Sequence, residues 1–323
     1  MRCALPLAVS AAQAGAGALS PGPLAPDAGG PPAARWKRAE LVRPRLEALL
    51  AGTDAAARVR GDPVELPHRY RDPLDIEVAA LLSAALAYGR VDLFKPRLTA
   101  LLDRLGEHPG RAARDLGPRE ILEQTRDFAY RMTGGRDVAC LLYGAGKIAR
   151  AHGTLGAGFA AHHRRLGGAT VREALGAFVD ELLSPDFRPL TGEQTPTRRL
   201  KHLLPHPRRG SACKRLNLFL RWMIRPDDGV DFGLWDVPAA ALVIPLDTHV
   251  HRIGRFIGLT RRNDLSWRTA EEITSRLRAL DARDPVRFDF ALSHLGISGS
   301  CPSRRDARKC AGCPLQPICR HWS

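Results

Sequence analysis

The sequence predicts an all-α protein, and three observations carry that prediction. Along most of the chain, apolar residues recur at i, i+3, i+4 and i+7, the spacing of an amphipathic helix. No segment shows a convincing two-residue alternation of β-branched side chains, as a half-buried strand would. Glycines and prolines, as at Gly134-Gly135 and Gly167-Gly168, divide the chain into helix-sized pieces, with no internal repeat and no phosphate-binding glycine motif.

Taken in order, residues 1–34 are mostly Ala, Gly and Pro with almost no charge. Such a stretch cannot bury enough surface to offset its ordering entropy, so it reads as a disordered tail or a mis-called start, with Cys3 inert in it. Arg2 before a short apolar run only faintly imitates a signal peptide, and export is rejected. Leu41, Leu46, Leu49 and Leu50 form the stripe of a helix over 37–51, followed by a basic, proline-rich connector over 58–73. Asp72-Pro73 opens the next helix, over 74–88, with Asp72 as cap. That helix is apolar almost all round and should be buried. Helical patterns continue over 92–105, 119–130, 137–151 and 171–183. Cys140, beside Leu141 and Leu142, reads as core, and His162-His163-Arg164-Arg165 as a solvated basic face. The turn-rich segment 204–211 enters a helix capped by Gly210 or Ser211, ending near Ile224 ahead of Pro226. Leu216, Phe219, Leu220 and Met223 supply its core stripe, while Arg221 and Trp222 read as a salt bridge and packing. The apolar run Leu242-Val243-Ile244-Pro245-Leu246 delivers Asp247 to a helix start. Ile273, Leu277 and Leu280 mark one more helix, and 288–295 the last before the cysteines.

A chain of 323 residues holds one large or two modest domains, and 44% hydrophobic content supports a real core. No apolar run approaches membrane-spanning length, so no membrane partner is expected. Lys and Arg number 49 against 34 acids, a formal charge of +15 that favours an anionic partner, nucleic acid by default. An arginine-rich composition without functional meaning is the alternative.

Four of the seven cysteines, Cys301, Cys310, Cys313 and Cys319, fall in the final 23 positions with spacing C-x8-C-x2-C-x5-C. Four thiols so close need one common partner, either zinc or an iron–sulfur cluster. Zinc sites usually pair two short knuckles and only one is present here, so a 4Fe–4S cluster is favoured, with zinc second and a disulfide pair last. Reduced cysteines point to the cytoplasm.

The Leu246-Asp247-Thr248-His249 segment, a helix, and a cysteine tail with a basic first loop together resemble endonuclease III, of the helix-hairpin-helix DNA glycosylase superfamily. The likeness is closer to a bacterial branch known from sequence alone, with some likeness to archaeal 8-oxoguanine glycosylases. Its hallmarks are Leu81-Leu82-Ser83-Ala84, the stretch Ser211-Ala212-Cys213-Lys214-Arg215-Leu216-Asn217-Leu218-Phe219-Leu220-Arg221-Trp222-Met223, and the Asp247 segment. It covers roughly residues 70–320. The resemblance implies a two-lobed helix-hairpin-helix glycosylase fold with a C-terminal 4Fe–4S loop. A helical barrel would span 76–228 and a cluster lobe 229–323, the latter packed with the helix and connector of 35–75.

By the same resemblance, Asp247 is the catalytic carboxylate and Lys214 the Schiff-base lysine. The hairpin at Arg208, Arg209, Gly210 and Ser211 would hold a DNA phosphate through backbone N–H groups and the helix dipole. The loop carrying Arg304, Arg305, Arg308 and Lys309 would touch DNA backbone. The implied function is a DNA glycosylase of base excision repair with AP lyase activity through the lysine. It would act as a monomer on double-stranded DNA carrying a damaged base or an abasic site, in the cytoplasm at the nucleoid. The alternative is a non-catalytic helix-hairpin-helix protein that recognises DNA structure and uses its metal as a staple. Several features depart from the family pattern. The hairpin is longer than Leu-Pro-Gly-Val-Gly, and Ala85 replaces a gap-filling Gln. The first cysteine loop is two residues longer. Lys214 and Asp247 stand 33 positions apart, farther than in endonuclease III. That leaves an insertion with Trp235, which either recognises the base or packs as a loop.

Overall fold

Why the chain is helical is visible in how each helix begins and what it buries. The computed structural model describes residues 36–322, so the expectations for residues 1–34 and Cys3 lie outside the described residues. Helix α1 (Ala39–Ala51) buries Val42, Leu46 and Leu49. Leu41, expected on that stripe, is instead 52% exposed. A short α2 (Ala55–Val59) follows, then α3 (Pro73–Leu86), whose cap Asp72 accepts the N–H groups of Leu74 and Asp75. Helices α4 (Val91–Leu105), α5 (Pro109–Asp115) and α6 (Pro118–Thr125) come next.

The helix expected over 119–130 stops at Thr125. The chain then forms a small antiparallel pair, β1 (Ala129–Tyr130) and β2 (Thr133–Gly134). Aromatic packing wins over the helical pattern here: Tyr130 lies against Tyr88 and Phe94. The Tyr88 hydroxyl bonds Thr133 Oγ1 at 2.7 Å, which fixes the hairpin just beyond the end of α3. Beyond it run α7 (Gly135–His152), α8 (Leu155–Leu166), α9 (Arg172–Leu182), α10 (Arg188–Thr191), α11 (Arg198–Leu203) and α12 (Lys214–Ile224). The last elements are α13 (Thr248–Phe256), α14 (Trp267–Arg278), α15 (Asp289–Ile297) and α16 (Ala307–Cys310).

Helix α3 is the hub, packed by α5, α7, α8 and α12. It is buried on every side, and two of its buried residues are acids, Asp75 and Glu77. Both serve the N-termini of neighbouring helices, whose first N–H groups lack intrahelical partners. Asp75 accepts the Gly110 N–H of α5 at 2.7 Å, and Glu77 accepts the Leu155 and Gly156 N–H groups of α8 at 2.8 and 3.0 Å. Burial pushes the Glu77 carboxyl up to about 7, against the pull of these donors. The basic face read at 162–165 is only partly solvated, because His162 Nε2 pairs with Glu181 at 2.6 Å.

Helix α1 lies against the C-terminal elements. Its Arg43 donates to the Leu280 carbonyl, Arg38 donates to that of Ile318 at 3.2 Å, and Glu47 pairs with Arg287. Among the described residues, no helix is long and apolar enough to cross a membrane.

Candidate functional site

Helix α12 ends where Pro226 requires, but it does not start as the sequence suggested. Its cap is Cys213, held at φ +48°, a left-handed conformation few non-glycine residues adopt. Gly210 instead closes the short turn before it. Its N–H goes to the Pro207 carbonyl at 3.1 Å and its carbonyl accepts the Trp267 N–H at 2.9 Å. The Gly210 N–H is therefore not on offer to a phosphate. Ser211 Oγ accepts the Cys213 N–H at 3.2 Å rather than capping the helix. Arg209 is exposed. Arg208 leans on Glu173 and Asp180 at 3.8 Å, pairs too wet to hold it firmly.

This start places Lys214 in the first turn of α12, half-buried on the wall of a cleft of about 810 Å³. Asp247 lines the same cleft from the cap of α13, where its Oδ1 accepts the Val250 N–H at 2.7 Å. The preceding apolar run is buried from Ala241 to Leu246, so the aspartate emerges from a solid wall. Leu218, Pro245 and His249 line the cleft as well. Lys214 also lines a second depression, together with Lys201, His202 and Ser211.

A third charged group on the cleft wall was not singled out from the sequence. Asp289, the first residue of α15, is 2% exposed yet lines the cleft. Its Oδ2 accepts Arg221 Nη1 at 2.9 Å, while its buried Oδ1 has no hydrogen-bond partner among the described residues. Burial pushes this carboxyl up to about 6 against the pull of Arg221; Asp247 adds to the rise and Lys214 opposes it. Asp247 and Lys214 thus both lie within electrostatic range of Asp289. The sequence held one signal: Asp289 is flanked by Phe288 and Phe290 and Arg221 by Leu220 and Trp222, and charges in such apolar surroundings are buried only when paired. Behind them, Asp231 bridges Arg221, at 3.2 Å, and Arg225.

Ala85, at the position where the endonuclease III pattern has a gap-filling Gln, is fully buried and does not line the cleft. Trp235 is a packed residue. It is 5% exposed, set among Phe159, Phe178 and Phe219, and its indole N–H donates to Glu77 at 2.8 Å.

Cys301, Cys310, Cys313 and Cys319 line one small cavity whose other walls are apolar, from Ile253, Phe256 and Ile257 of α13, Leu295 of α15, and Leu315. The four thiols carry no disulfide. Burial raises the Cys301 thiol to about 11 and the other three thiols add to that rise, whereas Arg252 opposes it. Arg252 also donates to the Cys301 carbonyl at 2.7 Å. Among the described residues, no group of three or more His, Cys, Asp or Glu gathers tightly enough to grip a single metal ion. In the first cysteine loop, Arg304, Arg305, Arg308 and Lys309 are all exposed. Arg305 donates to the His321 carbonyl and Lys309 to that of Gly299.

A family model described as "Protein of unknown function (DUF2400)" matches residues 62–298. The chain belongs to that family. The matched span contains Lys214, Asp247 and Asp289 and ends before Cys301, so within this family's pattern the cleft is included and the cysteine tail is not. A comparison with curated proteins found no match.

Proposed function

We propose that this member of the DUF2400 family is a DNA glycosylase of base excision repair, with a two-lobed helix-hairpin-helix fold and lyase activity through Lys214. One observation carries the reading: an amine and a carboxylate 33 positions apart in sequence line one cleft. Each sits at the start of a helix, where rigid backbone fixes its position. The +15 charge and the exposed basic residues Arg209, Arg304 and Arg308 add an attraction for DNA phosphates.

The glycosidic bond cannot be reached inside a duplex, so the damaged nucleotide leaves the stack and enters the cleft. Bond breakage builds positive charge on the sugar, which the Asp247 carboxylate stabilises. The neutral Lys214 amine attacks the sugar carbon as the base departs, forming an imine. Elimination then cuts the strand. Cys301, Cys310, Cys313 and Cys319 would hold a 4Fe–4S cluster. Four thiols lining one cavity, unevenly spaced and with only one short knuckle among them, suit a polynuclear group better than a zinc ion. When bound, the cluster would offset part of the thiolate charge and fix the basic loop. The protein would work in the cytoplasm, at the nucleoid.

The test is borohydride reduction of a mixture of the protein and duplex DNA with one abasic site. A covalent adduct is expected, and Lys214→Ala should abolish it. No adduct from the wild type, or an unchanged adduct from the variant, would refute the assignment.

A further inference from the structure

Lys214, Leu218 and Arg221 follow one another at i, i+4 and i+7, so they share a face of α12. The first two line the cleft, and Arg221 is buried. Seven residues of α-helix rise about 10 Å. Helical side chains lean toward the N-terminus, so Arg221 reaches back in the direction of Lys214. The Arg221 guanidinium is fixed at both ends, by Asp231 at 3.2 Å and Asp289 at 2.9 Å. It thereby holds Asp289 against the cleft wall with Oδ1 unpartnered.

We infer that Asp289 is the proton acceptor of Lys214: clamped by Arg221, its free carboxylate oxygen takes a proton from the Lys214 ammonium and leaves the amine neutral. The inference rests on the proposed glycosylase reading. In the exchange, the ammonium and the carboxylate become an amine and a carboxylic acid. The amine's electron pair then forms the bond to the sugar carbon while the glycosidic pair leaves with the base. A lysine nucleophile must lose its proton first, and an ordinary carboxylate is a weak acceptor at neutral pH. A carboxyl buried up to about 6 is better matched. The two acids divide the work: Asp247, with one oxygen committed to its helix cap, faces the sugar, and Asp289 handles the proton.

Other charged groups stand on the elements packed against α15 and on the cleft wall. Arg221 and Lys214 come from α12, and Asp247, His249 and Arg252 from the cap and body of α13. Glu47 of α1 is held by Arg287, and Asp62 of the connector pairs with His294 at 3.3 Å. Arg90, Asp92 and Lys95 stand on the cleft rim.

The experiment starts without DNA. The chain has six lysines, few enough for each to be followed by NMR after reductive methylation with ¹³C, with Lys214 assigned by loss of its peak in Lys214→Arg. The Lys214 signal should show a second, smaller step near pH 6. That step should vanish in Asp289→Asn and persist in His249→Gln, since histidines also titrate in that range. In the abasic-site trapping assay, the wild-type rate should rise through the same pH. Asp289→Asn should trap about 10²-fold more slowly with that limb removed. A wild-type Lys214 signal with no step near pH 6 overturns the inference, whether or not Asp289→Asn folds. So does a slower variant that keeps the wild-type pH profile, because Asp289 would then be only structural. A clear step in a protein that forms no adduct supports the Lys214–Asp289 pair and removes the glycosylase reading instead.

Discussion

Trp235→Phe separates packing from base recognition in the segment between α12 and Asp247. The indole N–H is a donor to the buried Glu77 carboxyl, at 2.8 Å. Removing a hydrogen bond to a charged group costs about 1.5–3 kcal/mol. Trimming the bicyclic ring to a phenyl in a filled aromatic cluster costs about 1 kcal/mol more. At pH 8 the variant should therefore lose about 3 kcal/mol. The loss should shrink in acid, and the sign follows from Glu77. Its folded-state value, about 7, lies above the ordinary 4.5. Between those pH values the unfolded carboxyl is ionised while the folded one keeps its proton, so stability falls as pH rises toward 7 and then levels off. Without the indole donor the folded carboxyl is raised further, and the fall continues past pH 7. At pH 5.5 the group is protonated in both folded proteins and the lost bond is a neutral one, so the cost drops to about 2 kcal/mol. Urea denaturation at the two pH values reads both numbers. A loss below about 0.5 kcal/mol at pH 8, within the range of a surface substitution, would refute the packing argument. A loss independent of pH would refute the role of Glu77.

Two further outcomes are expected. Asp247→Asn should keep the α13 cap, because Asn caps as well as Asp, and melt like the wild type while losing strand cleavage at abasic sites. Asp247→Ala should in addition lose about 1 kcal/mol; equal activity in wild type and Asp247→Asn would exclude a charged role for this residue. Protein purified without oxygen should be coloured and carry about four irons per chain, and Cys313→Ser should lose both iron and thermal stability. Colourless protein with about one zinc would replace the cluster by zinc.

How much of this was legible in the sequence depends on how local each determinant is. Asp72-Pro73 announces α3, and Pro226 ends α12 as expected, because capping and proline sterics act over a few residues. The cap at Asp247 was legible for the same reason. The start of α12 was not, since Gly210 and Ser211 are the better capping types. They are diverted by the Trp267 N–H and by the bridge from Ser211 to Ser266, more than fifty positions away. Helix α8 went unseen because two residues of its first turn, Gly156 and Gly158, are poor helix formers. Those glycines are needed for close packing: a Cβ at Gly156 would lie 2.4 Å from the Trp235 ring. The Asp289–Arg221 pair spans 68 positions, and only the fold joins the two apolar segments that contain it.

The cleft and the thiol cavity share two walls, α13 and α15. Helix α13 begins at Asp247 on the cleft and ends with Ile253 and Phe256 on the thiol cavity, about 13 Å along its axis. Asp289, Ser293 and Ile297 turn one face of α15 to the cleft, while Leu295 turns another to the thiols. The two helices touch at Gly296, where a Cβ would sit 2.5 Å from that of His249, so neither can shift without the other. Arg252 ties α13 to the Cys301 carbonyl, and the Arg320 N–H ties the tail to Phe256 at 2.7 Å. A group that draws the four sulfurs together would thus set the spacing of α13 against α15. With it would go the positions of the two acids, Asp247 and Asp289, that line the cleft with Lys214.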